Sequence, residues 1–98
     1  MEQGEFILRL SLHGTVKKIK ITNPEQKTIT DLKNVARSAF KIPTIDKDNN
    51  PLEVKLSQKN TGMEIHERDK NNKIQYLSYF GFEDGEFISV SVRVVAAS

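Results

Sequence analysis

Lys27-Thr28-Ile29-Thr30-Asp31-Leu32-Lys33-Asn34-Val35-Ala36-Arg37-Ser38-Ala39-Phe40-Lys41-Ile42-Pro43 is the one stretch of this 98-residue sequence that reads as a helix. Within it Ile29, Leu32, Val35, Ala36, Ala39 and Phe40 recur at helical spacing, which gives one apolar stripe and one charged face. Thr28 and Asp31 stand at the spacing of a capping box, with Asp where Glu or Gln is usual, and Ile42-Pro43 is expected to stop the helix. On either side the chain alternates apolar and polar residues, as strands do. A single amphipathic helix among strands must bury its stripe across one face of a sheet.

Before the helix, Glu5 to Leu12 puts Phe6, Leu8, Leu10 and Leu12 on one face, and His13-Gly14 supplies a turn. Thr15 to Thr22 returns with Ile19 and Ile21 inward, so the hairpin's outer face carries Ile7, Arg9, Ser11, Lys18 and Lys20. Asn23 to Gln26 links the hairpin to the helix. After the helix, Asp46 to Pro51 reads as a polar loop, Leu52 to Leu56 as a third strand and Met63 to Ile65 as a short fourth. His66 to Asn72 is almost wholly polar and reads as surface loop. Lys73 to Leu77 is expected to re-enter the core, and Ser78 to Gly85 to turn on its two glycines. Glu86 to Val95 is the last strand, with Ile88, Val90, Val92 and Val94 against Ser89, Ser91 and Arg93. Ala96-Ala97-Ser98 reads like the start of a linker. This order predicts an α+β fold of β-grasp type, a mixed five-stranded sheet with one helix packed across it. It forms one domain over residues 1–98 with its ordered core at 5–95.

Composition limits the chemistry. Cysteine is absent, so neither a disulfide framework nor a thiolate metal site can form. No apolar run approaches the ~20 residues of a membrane span, and Met1 to Glu5 is acidic where a signal peptide is basic. These features fit an intracellular protein, cytoplasmic or nuclear. The histidines, His13 and His66, fall in a turn and a polar loop, away from any nucleophile or base. Asp46 to Asn50 begins like a calcium loop, but Pro51 stands where the sharp turn needs Gly, and Ser57 where a bidentate Glu belongs. No phosphate-cradling glycine loop is present, so no cofactor is expected. The residues favour a binding module over an enzyme.

Leu77-Ser78-Tyr79-Phe80-Gly81-Phe82-Glu83-Asp84-Gly85-Glu86-Phe87-Ile88 resembles the ubiquitin-fold signature, a leucine, an aromatic and a turn leading into the last strand. The opening hairpin and the Thr28-Ile29 helix start are also similar to ubiquitin-like domains. A closer resemblance is to the amino-terminal ubiquitin-like domain family of the nuclear protein localization protein 4 homologue. It rests on Gly14 to Ile19, on Leu32 to Ala36 followed by Phe40, and on Val54 to Ile65. The longer Asp46 to Pro51 loop and the more charged His66 to Asn72 segment depart from that family. The resemblance implies docking on the amino-terminal domain of the valosin-containing AAA ATPase in ubiquitin-dependent degradation. A conjugated modifier would need a diglycine tail, whereas this chain ends Val94-Val95-Ala96-Ala97-Ser98, so conjugation is not expected. The fold would set Lys55, Ser89 and Ser91 where ubiquitin carries its apolar patch, which implies a different recognition surface.

Net charge is +2, but Arg9 to Lys41 holds eight Lys or Arg against Glu25 and Asp31. Such asymmetry favours an anionic partner surface. In the β-grasp order Arg9, Lys18, Lys20, Lys55 and Arg93 are expected to gather into one basic patch on the outer sheet face. Ile7 and the Tyr79-Phe80 turn are candidate apolar anchors, with Phe80 read as core. The alternative partner is a small GTPase or an anionic membrane, bound through the first two strands as in Ras-association or talin-head-like domains. Little aromatic interleaving argues against nucleic acid. The domain is expected to be monomeric in isolation.

Overall fold

The computed structural model describes residues 5–95; the expected linker-like end at 96–98 lies outside them. β1 (Glu5–Leu12) and β2 (Thr15–Thr22) form an antiparallel hairpin closed by His13 and Gly14, both at positive φ. Two successive left-handed residues give the primed turn whose twist matches that of paired strands. A 3-10 turn, Pro24–Gln26, leads into α1 (Ile29–Ala39). β3 (Leu52–Gln58), β4 (Glu64–Ile65), the one-turn helix α2 (Leu77–Phe80) and β5 (Glu86–Val94) follow. The sheet runs β2-β1-β5-β3-β4, with β1 and β5 parallel and the other pairs antiparallel. This is the expected β-grasp arrangement, first and last strands side by side at its centre.

The capping box forms as the sequence predicts. Thr28 Oγ1 accepts the Asp31 N–H at 3.1 Å, and Asp31 Oδ2 accepts the Thr28 N–H at 2.9 Å. Two of the helix's unpaired amino-terminal donors are thereby satisfied. The other end differs from expectation, because α1 stops at Ala39, before Ile42-Pro43. Lys41 turns left-handed at φ 55, while Ile42 N–H reaches Arg37 O at 2.9 Å and Lys41 N–H reaches Ser38 O at 3.3 Å. Those two bonds define a Schellman ending, so backbone reversal at Lys41 terminates the helix. Arg37 then donates to Pro43 O at 2.6 Å and Leu52 O at 3.1 Å, fastening the helix end to the start of β3.

The core lies between the sheet and α1. Leu8, Leu10, Ile21, Val54, Leu56, Ile88 and Val90 from the strands meet Ile29, Leu32 and Ala36, with Ile65 and Leu77 closing the sides. Burying each larger aliphatic contributes about 1.5–3 kcal/mol. Some expected inward residues stay wet. Val35 stands at the edge of the helical stripe and is exposed. Val92 and Val94 are exposed because β1 ends at Leu12 and pairs with β5 only as far as Ser89, so β5 runs on beyond the covered core. Of Lys73 to Leu77 only Leu77 is buried. Ile74 and Tyr76 face solvent because their segment makes isolated bridges, Arg68 to Ile74 and Thr28 to Tyr76, and joins no strand of the sheet.

Candidate functional site

The outer sheet face has two separate charged ends. Strand register sets Ile7 opposite Lys20, and Arg9 between Lys18 on β2 and Phe87 on β5. Arg93 lies six residues beyond Phe87 on β5, about 20 Å away at ~3.3 Å per residue, and Lys55 pairs with Ser91 next to it. Ile7, Arg9, Lys18 and Lys20 therefore share one end of the face, and Lys55 and Arg93 the other. The single basic patch expected from the sequence does not form.

At the far end the cations are matched by carboxylates. Arg93 Nε and Nη2 both donate to Glu53 Oε1, the first at 3.0 Å, across the β3–β5 ladder. Lys55 Nζ lies 3.4 Å from Glu64, which also has His66 Nδ1 at 3.7 Å. A further pair, Lys33 to Glu67 at 3.0 Å, lies alongside. Counting the bases of the outer face without Glu53 and Glu64 is what made this end look basic. Such half-exposed pairs fix orientation and contribute little binding charge.

At the near end Arg9, Lys18 and Lys59 keep their charge. Arg9 Nε donates to Gly85 O at 2.8 Å, and its guanidinium lies 4.0 Å from the centroid of the Phe87 ring. Lys59 Nζ sits 5.3 Å from the same centroid. An aromatic ring attracts a cation held near its face. Lys20 is paired with Glu5 at 3.3 Å, whereas Arg9, Lys18 and Lys59 have no ion pair with a described residue. Phe87 and Lys59 are the members that the sequence reading passed over. Phe87 could have been found from strand parity, since it shares its face with Ser89, Ser91 and Arg93; Lys59 had no such signal, because a turn places it there.

This end is held rigidly. The Ile7 N–H donates to Asp84 Oδ1 at 2.6 Å, and the Gly85 N–H returns to Ile7 O at 2.6 Å. Gly85 adopts φ 85, a left-handed shape that other residues resist. The turn before β5 is thus locked onto β1, and Arg9 closes the lock with its side chain. The resulting surface presents Ile7 and Phe87 as half-buried apolar area beside Arg9, Lys18, Lys20 and Lys59, with Glu5 on Lys20 and the Asp84 carboxylate on the Ile7 N–H. Chemically it offers charge steering and an apolar contact, with no group placed for bond-making.

No protein-family model matches the chain, and no curated protein matches it by sequence. Solved structures do match. The ubiquitin-like domain of an Arabidopsis thaliana protein superposes with a TM-score of 0.64 at 11% identity, over 98% of this chain and 85% of that one. A designed protein based on ubiquitin gives 0.64 at 15% identity, over 99% of each chain. The amino-terminal ubiquitin-like domain of another protein gives 0.62 at 15% identity, over 99% of this chain and 83% of that one. At such identities the likeness is one of backbone architecture, and the chain has the ubiquitin-like fold.

Proposed function

We propose that the chain is a non-catalytic interaction module, a single ubiquitin-like domain that docks on the amino-terminal domain of the valosin-containing AAA ATPase as an adaptor in ubiquitin-dependent degradation. The observation that carries this reading is the rigid Ile7–Phe87 surface with Arg9, Lys18, Lys20 and Lys59 beside it. It combines an apolar centre with a charged rim, the pattern of a specific protein contact. The resemblance of Gly14 to Ile19 and Val54 to Ile65 to the nuclear protein localization protein 4 family supplies the partner. In this reading the domain is monomeric, binds no cofactor and works in the cytoplasm or nucleus.

The test is a titration of labelled domain with the isolated amino-terminal domain of the ATPase, followed by amide shifts. Saturable changes at residues 7–9, 18–20 and 85–87 are expected, together with a tenfold or greater loss of affinity for Ile7→Ala or for Lys18→Glu combined with Lys20→Glu. Unchanged spectra at high partner concentration overturn it.

A second reading rests on a separate observation, that β2 is an open edge of the sheet and carries Lys17, Lys18 and Lys20 along its length. An exposed edge strand can add to a partner's sheet. In that reading the partner is a small GTPase or an anionic membrane. GTP-dependent capture with steep salt dependence, or binding to anionic vesicles, would favour it over the ATPase.

A further inference from the structure

Away from the outer sheet face, the 3-10 turn, the 69–76 segment and α2 enclose a groove of about 340 Å³. Ile74, Tyr76 and Tyr79 supply its apolar surface, with Tyr79 76% exposed. Glu25 and Asp69 stand in its lining, which contains no basic side chain. The sequence reading singled out Tyr79 as a candidate anchor, and the basic end of the sheet does not use it.

The groove is built on fixed backbone. Thr28 and Tyr76 form an antiparallel bridge in which Ile29 N–H donates to Gln75 O at 3.0 Å and Leu77 N–H to Lys27 O at 2.8 Å. Gln75 is held again by its side chain, which donates to His66 O at 2.8 Å. Asp69 is set by its own turn, where Oδ1 accepts the Asn71 N–H at 2.8 Å and the Lys73 N–H at 3.0 Å. Glu25 makes no hydrogen bond or ion pair with a described residue. Two tyrosines and two carboxylates therefore line one concavity whose backbone is already fixed.

Ring faces attract cations, and so do carboxylates. We propose that this groove is a second docking surface, which takes an extended protein segment bearing an arginine or lysine between apolar residues. The cationic head sits among Tyr76, Tyr79, Glu25 and Asp69, and the flanking apolar residue packs on Ile74. Tyrosine suits such a role because it buries a large ring at low entropic cost while its hydroxyl stays wet. The inference is independent of the sheet-face reading, since the two surfaces share no residue.

The probe is a synthetic eight-residue peptide of alternating leucine and arginine, compared with its leucine–glutamate counterpart, each titrated into labelled domain without any other partner. Saturable amide shifts at residues 74–79 with the basic peptide alone are expected. Tyr79→Ala and Glu25→Lys should each lower that affinity about tenfold or more. Both sites are exposed, and an unchanged thermal transition verifies that the variants remain folded. Equal binding of the acidic peptide, shifts confined to residues 7–9 and 85–87, no saturation, or undiminished binding by both variants overturns the proposal.

Discussion

Lys41 occupies the position after a helix where glycine is favoured, and it holds a left-handed backbone with a Cβ attached. That conformation costs a non-glycine residue roughly 1 kcal/mol. Its side chain is exposed, so nothing is lost from the core on removing it. Lys41→Gly should therefore stabilise the domain by about 0.5–1 kcal/mol, read as a higher urea midpoint at unchanged slope. An unchanged midpoint would mean that the unfolded chain's gain in freedom cancels the relieved strain, and a lower one that it outweighs it. At this scale the sequence was informative where a residue type announces its job. Thr28 and Asp31 did so. Lys41 did not, because a lysine in a left-handed position looks like any surface lysine, and only the bonds to Arg37 and Ser38 reveal it.

Between elements, Glu67 joins α1 to the segment that follows β4. Its carboxylate accepts from Thr30 Oγ1 at 3.0 Å and meets Lys33 Nζ at 3.0 Å, while its carbonyl accepts the Gln75 N–H at 2.9 Å. The Lys33 hydrogen bond is the main reason that its carboxyl is held below the usual glutamate value of 4.5. Asp46 is lowered as well, chiefly by the Asn50 N–H within its own loop. A carboxyl lowered in the folded state binds fewer protons there than when unfolded, so its stabilisation is complete above the unfolded value and disappears as pH falls through the folded one. Stability should be flat around neutrality and decline below about pH 4.5. Glu67→Gln should shallow that decline with no dependence above pH 6, as followed by thermal melts across a pH series. An equally steep acid limb in the variant would assign the loss to other carboxylates.

The elements that the sequence disclosed most fully are those whose period is set by burial on one side, α1, the β1–β2 hairpin and most of β5, with β3 and the short β4 also in their expected places. Alternation there placed Ile7, Arg9, Lys18 and Lys20 on one outer face, and strand register then supplies their partners. It misled where burial ends before alternation does. Val92 and Val94 continue the inward parity of Ile88 and Val90, but the sheet has no covering beyond β1. The site was half visible for a related reason. Parity assigns Lys55 and Arg93 to the outer face, and only cross-strand register shows Glu53 and Glu64 already beside them.

Taken as a whole, the molecule is closed by contacts between its two ends. Arg9 and Gly85 are 76 positions apart, Ile7 and Asp84 77, and the parallel β1–β5 pairing joins the same regions. Without β5, Leu8, Leu10 and Leu56 would lose the strand that separates β1 from β3. A chain ending at Gly85 should give a collapsed amide spectrum without the dispersed shifts of paired strands. Retained dispersion would show that the hairpin and helix form a stable unit unaided. The full chain should refold in milliseconds or slower, as expected when distant pairings must be made before they stabilise.

The central place of β1 also has a history in the making of the molecule. During synthesis the hairpin and helix are made before the last strand, and one flank of β1 stays unpaired until β5 joins it. That flank is an unpaired strand edge beside leucines that are buried in the finished domain. Edges of this kind invite pairing with other chains. A chain whose Glu86–Val94 has not yet paired should therefore associate with other chains more readily than the finished domain does.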